Sequence, residues 1–537
     1  MITHIKKRFP MNLKDKFSFA VKLSFLSILI GGIMWSCKKD DPEQLSSRLF
    51  RPIIKGSLVS NGNWIKASWE TIKEAKSYTV QVSRDTFKTI DFTVEVDSNS
   101  VVVEDLIWNQ LYQLQVKANA HDAMRDSKAG TLGEIKTTKF PTILKAPNVN
   151  NIRSTSLIIE WENIGDAPTH LKVLKGVDSA VVLEVPLNAS DVSSQSKLIE
   201  GLEAQQPYII YIYSNETVRG WDNYVTKAEI TGDIIDLSHI TGQPNILYDT
   251  LTSDKLTANI IILKRGETYS IPQSISLSQP ISIIAEDTFD PKLPIISMAG
   301  NFNIVANSSV EYLHFTDVVL RGTDYSSKYV LNINTAGILG EVKFENCHIE
   351  IFRGITRTQN VAATINLFSI NNCIIDSIAG YGIVINDGAA SKINQISITN
   401  STISGAEIIV GAGKNNAQAV KISDCTFYRA PNSGRYIVDY NGLTVTDGIV
   451  VNNCIFSTPK TSGTTNGVRV GTGGSMGENN YYTSDYTGSI NSSTSIPGLK
   501  AYSGNAATLF NSPMQGDLSF KDGSFAGKST AGDPRWR

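Results

Sequence analysis

From about Ile260 to Phe456 the chain repeats one short phrase. Apolar and polar residues alternate, an Asn or Asp follows, then a small residue, then more apolar ones. The phrase reads Val342-Lys-Phe-Glu-Asn-Cys-His-Ile349, then Phe368-Ser-Ile-Asn-Asn-Cys-Ile-Ile375, then Ile396-Ser-Ile-Thr-Asn-Ser-Thr-Ile403. It returns as Val420-Lys-Ile-Ser-Asp-Cys-Thr-Phe427 and Ile449-Val-Val-Asn-Asn-Cys-Ile-Phe456, with a fainter copy over Leu313 to Leu320. Aligned on the residue after the Asn or Asp, the copies give Val318, Cys347, Cys373, Ser401, Cys425 and Cys454, in steps of 29, 26, 28, 24 and 29 residues. Alternation with period two predicts strands rather than helices. A repeat of this length predicts a solenoid, because one such unit cannot bury its apolar face alone. Three short strands and three turns use up one coil, and coils stack at the ~4.8 Å inter-strand spacing, so about nine of them predict a rod of ~40–45 Å. The apolar alternates point inward. The Asn or Asp marks the bend, because these residues tolerate left-handed backbone and hydrogen-bond it locally.

Four of the five cysteines occupy the small-residue phase. Stacked coils bring Cys347 near Cys373 and Cys425 near Cys454, within disulfide reach. Ser401 and Val318 fill the same phase, however, which predicts a small buried residue and free thiols. The whole segment resembles the right-handed parallel β-helix of the pectate-lyase superfold, and the entry Ile260-Ile-Ile-Leu-Lys-Arg-Gly-Glu-Thr-Tyr269 resembles its opening coils. Asp233 to Gln243 is expected to link or cap the helix, Gly471 to Gly474 to form a loop, and residues 478–537 to pack along the flank or cap the end with Trp536 buried.

Upstream, the alternation comes in shorter runs. Ile65, Ala67 and Trp69 are followed by Tyr78, Val80 and Val82, then Leu106, then Tyr112, Leu114 and Val116. A second copy holds Leu157, Ile159 and Trp161, then Leu202, then Tyr208, Ile210 and Ile212. An early strand Trp with a later Leu-x5-Tyr resembles fibronectin type III modules, in which the Trp fills a sandwich core and the Tyr bonds back to the chain. Their expected role is spacing, with Trp221 and Tyr224 in a late loop as the aromatic candidates for a binding role.

The first residues carry Lys6, Lys7, Arg8, Lys14, Lys16 and Lys22, then an apolar run from Leu23 to Trp35 that is short for a membrane span. The run ends Met34-Trp35-Ser36-Cys37, which resembles a bacterial lipobox, although Met34 and Trp35 depart from the strict motif. The resemblance implies cleavage before Cys37 and lipidation of its thiol. An ordinary signal peptide with an incidental Cys is the alternative. Lys38-Lys39-Asp40-Asp41 resembles the export signal of Bacteroidota surface lipoproteins, and the ending Gly532-Asp-Pro-Arg-Trp536 resembles the close of a group of such lipoproteins of unknown function, associated with capture and degradation of plant polysaccharides such as pectin. The expected order is a signal peptide (1–36), lipidated tether (37–47), two fibronectin type III-like sandwiches (48–140 and 144–232), a β-helix (233–477) and a tail (478–537). The resemblance implies an outer-membrane location facing the exterior, with an importer and glycan-degrading enzymes as partners.

Charge is balanced, with 49 basic and 51 acidic residues, which gives no field for nucleic acid. A β-helix lyase needs clustered carboxylates for Ca²⁺ and an Arg or Lys base. Asp376, Asp387, Asp439 and Asp447 fall into no single register. The Trp-x-Asp-His and Gly-His-Gly sets of pectate lyases and polygalacturonases are missing, and Arg429-Ala-Pro431 is only a partial match to Arg-x-Pro-x-x-Arg. Cations cluster better: Arg353 with Arg357, and Arg429 with Arg435 beside Tyr428, Tyr436 and Tyr440. Guanidinium pairs with carboxylate in a fork, so these residues are the candidate site for a uronate-containing polysaccharide, with the tyrosines as stacking platforms. The alternatives are solvated loop charge and tyrosines that merely cover the flank. The expected activity is binding without catalysis and without a metal or cofactor. A divergent calcium-dependent lyase and a display rod are the other readings.

Overall fold

The computed structural model describes residues 48–537 apart from 109, 139–140, 177–179, 412–413 and 491, so the leader and Cys37 lie outside the described residues. Nearly all of the regular structure is β, in two compact units. The first unit contains a sandwich of a three-stranded sheet (Val59–Asn61, Trp64–Ser68, Ser100–Val103) and a four-stranded one (Phe92–Val96, Ser77–Ser83, Leu111–Asn119, Gly130–Lys136). Trp69 is fully buried in its core, and the Tyr112 hydroxyl accepts from the Ile107 amide at 3.1 Å, the expected corner.

In the second unit, Trp161 and Tyr208 repeat the plan, with Glu203 N donating to the Tyr208 hydroxyl at 2.9 Å. This sandwich is fastened to the β-helix through charge. Arg153 Nε donates to Thr288 O at 2.6 Å, Asp287 accepts from Ser154 N and Oγ, and Lys227 pairs with Asp317 at 3.1 Å. Trp221 and Tyr224 lie on the strand Thr217–Val225, not in a loop, and Tyr224 is buried. Strand alternation turns its ring inward, which removes it as a binding candidate.

The solenoid is a parallel β-helix of about nine turns. One face stacks ten strands, from Ile234–Asp236 to Ser475–Met476. The register between coils follows the repeat: Phe315 opposes Phe344, which opposes Ile370, then Ile398, Ile422 and Val451. These side chains are buried in one continuous core. The bend is the left-handed column expected. Asp317, Asn346, Asn372, Asn400, Asp424 and Asn453 all have positive φ, from 49° at Asn400 to 57° at Asp317. Cys347, Cys373, Cys425 and Cys454 are buried and free. Burial pushes the Cys347 and Cys425 thiols up.

The ends differ from expectation. Ile234–Asp236 is already the first rung, and the helix Ile246–Leu251 caps the core with Leu247 and Leu251. Residues Gly471 and Thr472 belong to the strand Asn466–Thr472 rather than to a loop. The coil also continues past 477. Asn479 has φ 55°, and Asn480–Tyr482 pairs with Ile455–Phe456 and then with Leu499–Ala501. Asn480 holds the cysteine phase, its Oδ1 accepting from Cys454 N at 2.9 Å. Residues 506–537 then run along the flank, burying Leu509, Phe510, Leu518 and Phe525 against Tyr428, Ile455 and Tyr481. Asp533 accepts from Thr402 Oγ1 at 2.7 Å, Arg535 donates to Asn372, and Arg537 pairs with Asp424. Trp536 is half-buried rather than buried, donating to Thr402 Oγ1 at 2.7 Å.

Candidate functional site

One outer surface of the β-helix is built from the strand ends 329–333, 354–358, 382–386, 410–411, 436–440 and 466–470, which oppose one another coil by coil. In one column Arg357 opposes Ile385, then Gly411, Asp439 and Arg469. Two of the four Asp positions that fit no register in the sequence fall here, Asp439 in the column and Asp387 two residues beyond Ile385, while Asp376 opposes Glu350 and Ser404 elsewhere and Asp447 accepts from Gln418.

At one end, Arg357 Nε donates to Asp387 Oδ2 at 3.0 Å, with Nη2 on the same oxygen. Its guanidinium lies 4.3 Å from the Tyr381 ring centre, and Arg353 lies 4.5 Å from the same ring. Gly354 makes room for this ring, since a Cβ there would fall 2.8 Å from Tyr381 Cβ. At the other end, Arg469 is bidentate on Asp439 (Nε to Oδ1 2.9 Å, Nη2 to Oδ2 2.7 Å) and lies 4.1 Å from the Tyr436 ring centre. Burial works to lower the Arg357 pKa, but the Asp387 bond and the neighbouring groups raise it. For Arg469 the Asp439 bond is the main cause of an upward shift.

Between the two ends is a shallow recess of about 160 Å³ lined by Ile385, Ile408, Val410, Gly411, Lys414 and Arg435, among others. Gly411 keeps its floor open, because a Cβ there would fall 3.2 Å from Ile408 Cγ2. Among the described residues, Arg353, Lys414 and Arg435 have no carboxylate at ion-pair distance.

Next to this surface, the Tyr325 hydroxyl donates to Glu407 Oε1 at 2.9 Å. Lys460 donates to Tyr325, to Ile378 O at 3.3 Å and to Glu407 at 3.4 Å. Burial lowers the Lys460 pKa, opposed by Glu407. Arg429 stands in a second left-handed column, at φ 51°, close enough to act against the Lys460 charge, and unlike Arg435 it is not among the residues lining the recess.

The candidate residues thus divide. Arg353, Arg357, Arg435 and Tyr436 share one surface. Tyr440 does not: it is buried, since it lies on the inward phase of its strand, and cannot stack on a sugar. Tyr428 is covered by the tail, its hydroxyl against Met514 Sδ at 3.0 Å. Tyr381, Asp387, Asp439 and Arg469 complete the surface and were not candidates by sequence. The two aspartates and Arg469 have their ion-pair partners 30 residues away, one coil along, so only the coil register signals them. Among the described residues no group of three or more His, Cys, Asp or Glu is arranged to hold a metal ion.

The architecture defines a protein of fibronectin type III-like sandwiches followed by a parallel β-helix. Residues 267–406 match one sequence family, a domain of unknown function (DUF4957), and residues 420–536 match another, a domain of unknown function (DUF5123). No curated protein matches the chain. Among solved structures the chain is similar to chicken CNTN1 domains FN1–FN3, at 14% identity, over 34% of this chain and 69% of that one, with a TM-score of 0.16.

Proposed function

We propose that this chain is a lipid-anchored surface protein whose β-helix binds an acidic, uronate-containing polysaccharide without catalysis of its own. The observation that supports this most is the pairing of a tyrosine ring with an ion-paired Arg and Asp at each end of an open recess. Tyrosine presents a flat apolar face with a polar tip, suited to the C–H face of a pyranose. Guanidinium forks hold carboxylates and hydroxyls in fixed geometry, and the aspartates accept from hydroxyls. Five cations (Arg353, Arg357, Lys414, Arg435 and Arg469) meet two carboxylates on this surface, a balance that favours an anionic polymer. Lipid on Cys37 anchors the chain, the sandwiches act as spacers, and an outer-membrane importer with secreted glycan-degrading enzymes would take up what is held.

The test uses soluble protein beginning after Cys37 in affinity electrophoresis on polygalacturonate, methylated pectin and rhamnogalacturonan, with and without calcium. Retardation by the acidic polymers, weakened by methylation and without ultraviolet absorbance from an unsaturated product, is the expected result. Absorbance that grows and is abolished by chelator would replace this reading with a β-eliminating lyase. No retardation on any acidic polymer would overturn it in favour of a display rod.

A further inference from the structure

The second sandwich and the β-helix enclose another recess, of about 290 Å³, which shares no lining residue with the surface described above. Three parts of the chain build it. Asn150 and Arg153 come from the sandwich, Arg265, Phe289 and Ile374 from the coils, and Arg535 from the tail. Three guanidinium groups therefore meet around one opening. Two of them are buried, Arg153 at 3% exposure and Arg265 at 6%, which is rare for arginine unless it is paired. Arg265 is well held: Nε donates to Glu286 O at 3.0 Å, Nη1 to Asp290 O at 3.2 Å and Nη2 to Asp317 Oδ2 at 3.3 Å. Arg535 is held too, donating from Nη1 to Asp533 Oδ2 at 2.8 Å and from Nη2 to Asn372 O at 2.8 Å.

Arg153 is not. Its Nε and Nη1 donate to two backbone carbonyls, Thr288 O at 2.6 Å and Ile152 O at 2.7 Å, and the carboxylate of Asp287 stands 3.6 Å from Nε. Its Nη2 has no acceptor among the described residues. A guanidinium carries its N–H donors in a rigid fork, so one edge of this buried cation is left to whatever fills the recess. Burial lowers the Arg153 pKa, and the positive charge of Arg265 adds to the effect. The walls restrict the anion that fits. The Arg153 guanidinium lies 4.6 Å from the Phe289 ring centre, and Leu293 and Ile374 continue an apolar lining. One carboxylate, Asp290, also lines the recess, and each cation already has an aspartate at ion-pair distance: Asp287, Asp317 or Asp533. The remaining demand is for one negative charge, not two.

We infer that this recess binds a small organic carboxylate, its head on Arg153 Nη2 and its apolar body against Phe289, Leu293 and Ile374. A charge-assisted bond to the free edge completes the one incompletely used guanidinium. A phosphate dianion would set its second charge against Asp290 with no free cation to receive it. The volume is at the low end for small-molecule sites, which limits the ligand to about one ring with a carboxylate arm. Sandwich, coils and tail each supply a wall, so a ligand that fills the recess stabilises the joint between them.

The experiment titrates soluble protein beginning after Cys37 with phenylacetate, with phenethylamine and phenyl phosphate as probes of the same body and different charge. Ligand-observed NMR reads affinity, and hydrogen exchange by mass spectrometry reads the place. Phenylacetate should bind at least about ten-fold more tightly than phenethylamine, and it should slow exchange in peptides covering 150–156 and 286–293. Arg153→Lys keeps the charge but removes the Nη2 donor, and should weaken phenylacetate about ten-fold. Leu293→Trp fills the apolar end while leaving the bonds of Arg153 in place, and should abolish binding even if Arg153→Lys loosens the joint. Phenylacetate that binds no better than phenethylamine, that protects other peptides instead, or that binds Leu293→Trp as well as wild type would overturn the site. Tighter binding of phenyl phosphate than of phenylacetate would overturn the assignment to a carboxylate.

Discussion

The left-handed column gives the most quantitative handle on this fold. Asn453 sits at φ 54°, its Nδ2 donates to Asp424 Oδ1 at 3.3 Å, and its Oδ1 accepts from Asn479 Nδ2 at 3.0 Å. Asn453→Ala keeps the coil but forces a Cβ residue without a compensating side chain into the left-handed region, at a cost of about 1 kcal/mol relative to Gly. It also removes two half-exposed side-chain bonds, each contributing about 0.5–1 kcal/mol. The expected loss is about 2–3 kcal/mol for Ala. Asn453→Gly loses the bonds but adopts the backbone freely, so it should lose about 1–2 kcal/mol. This rung touches its neighbouring coils and the tail, whose Gly532 N donates to Asn453 O at 2.7 Å, so the loss is local to them. Hydrogen exchange by mass spectrometry on the full chain should therefore show faster opening in peptides covering 449–456 and 478–482, more for Ala than for Gly, with peptides near 302–316 unchanged. Equal effects for Ala and Gly would refute the left-handed backbone as the reason for Asn at this bend.

Phe344 stacks on Phe315 at 5.4 Å and packs against Phe368 at 6.1 Å, all three fully buried, so Phe344→Ala should cost about 3–5 kcal/mol and open the central coils to exchange. Asp533 caps the terminal turn, accepting from Arg535 N at 2.9 Å and from Thr402 Oγ1. Asp533→Ala should therefore free the last residues to carboxypeptidase, and Asp533→Asn, which keeps the acceptor, should do so less. His314 and His348 are outward but half-buried, and burial holds both below the ordinary value of 6.5. Their contribution is full above that value and is lost as pH falls through the folded value, because the unfolded chain takes up the proton first. Resistance to urea should thus fall as the pH drops below about 6.5, and His314→Gln with His348→Gln should flatten that slope.

The features legible in the sequence were those fixed by local geometry. A left-handed bend selects Asn or Asp at Asn346, Asn372 and Asn453, so the column is visible in a single chain. The sandwich core likewise announces itself through Trp69 and Tyr112, each tied to its own strand. The last coil was hidden because Asn480 replaces Cys at the small-residue phase, where it donates to the Val451 and Pro497 carbonyls instead of packing as an apolar residue. Tyr428 and Tyr440 misled for different reasons. The phase of Tyr440 turns it inward, while Tyr428 points outward but is covered by a tail some 80 residues later. The site itself was half legible. Arg353 stands close in sequence to Arg357, and Arg435 to Tyr436, whereas the joining of the two pairs, and the roles of Asp387, Asp439 and Arg469, acquire meaning only when coils are stacked in register.

The most direct test of this account is affinity electrophoresis on polygalacturonate with wild type beside a Tyr381→Ala, Tyr436→Ala double variant. The account predicts strong retardation of wild type and near-free migration of the variant at unchanged thermal stability. Equal retardation of the two proteins, or free migration of both, would contradict it.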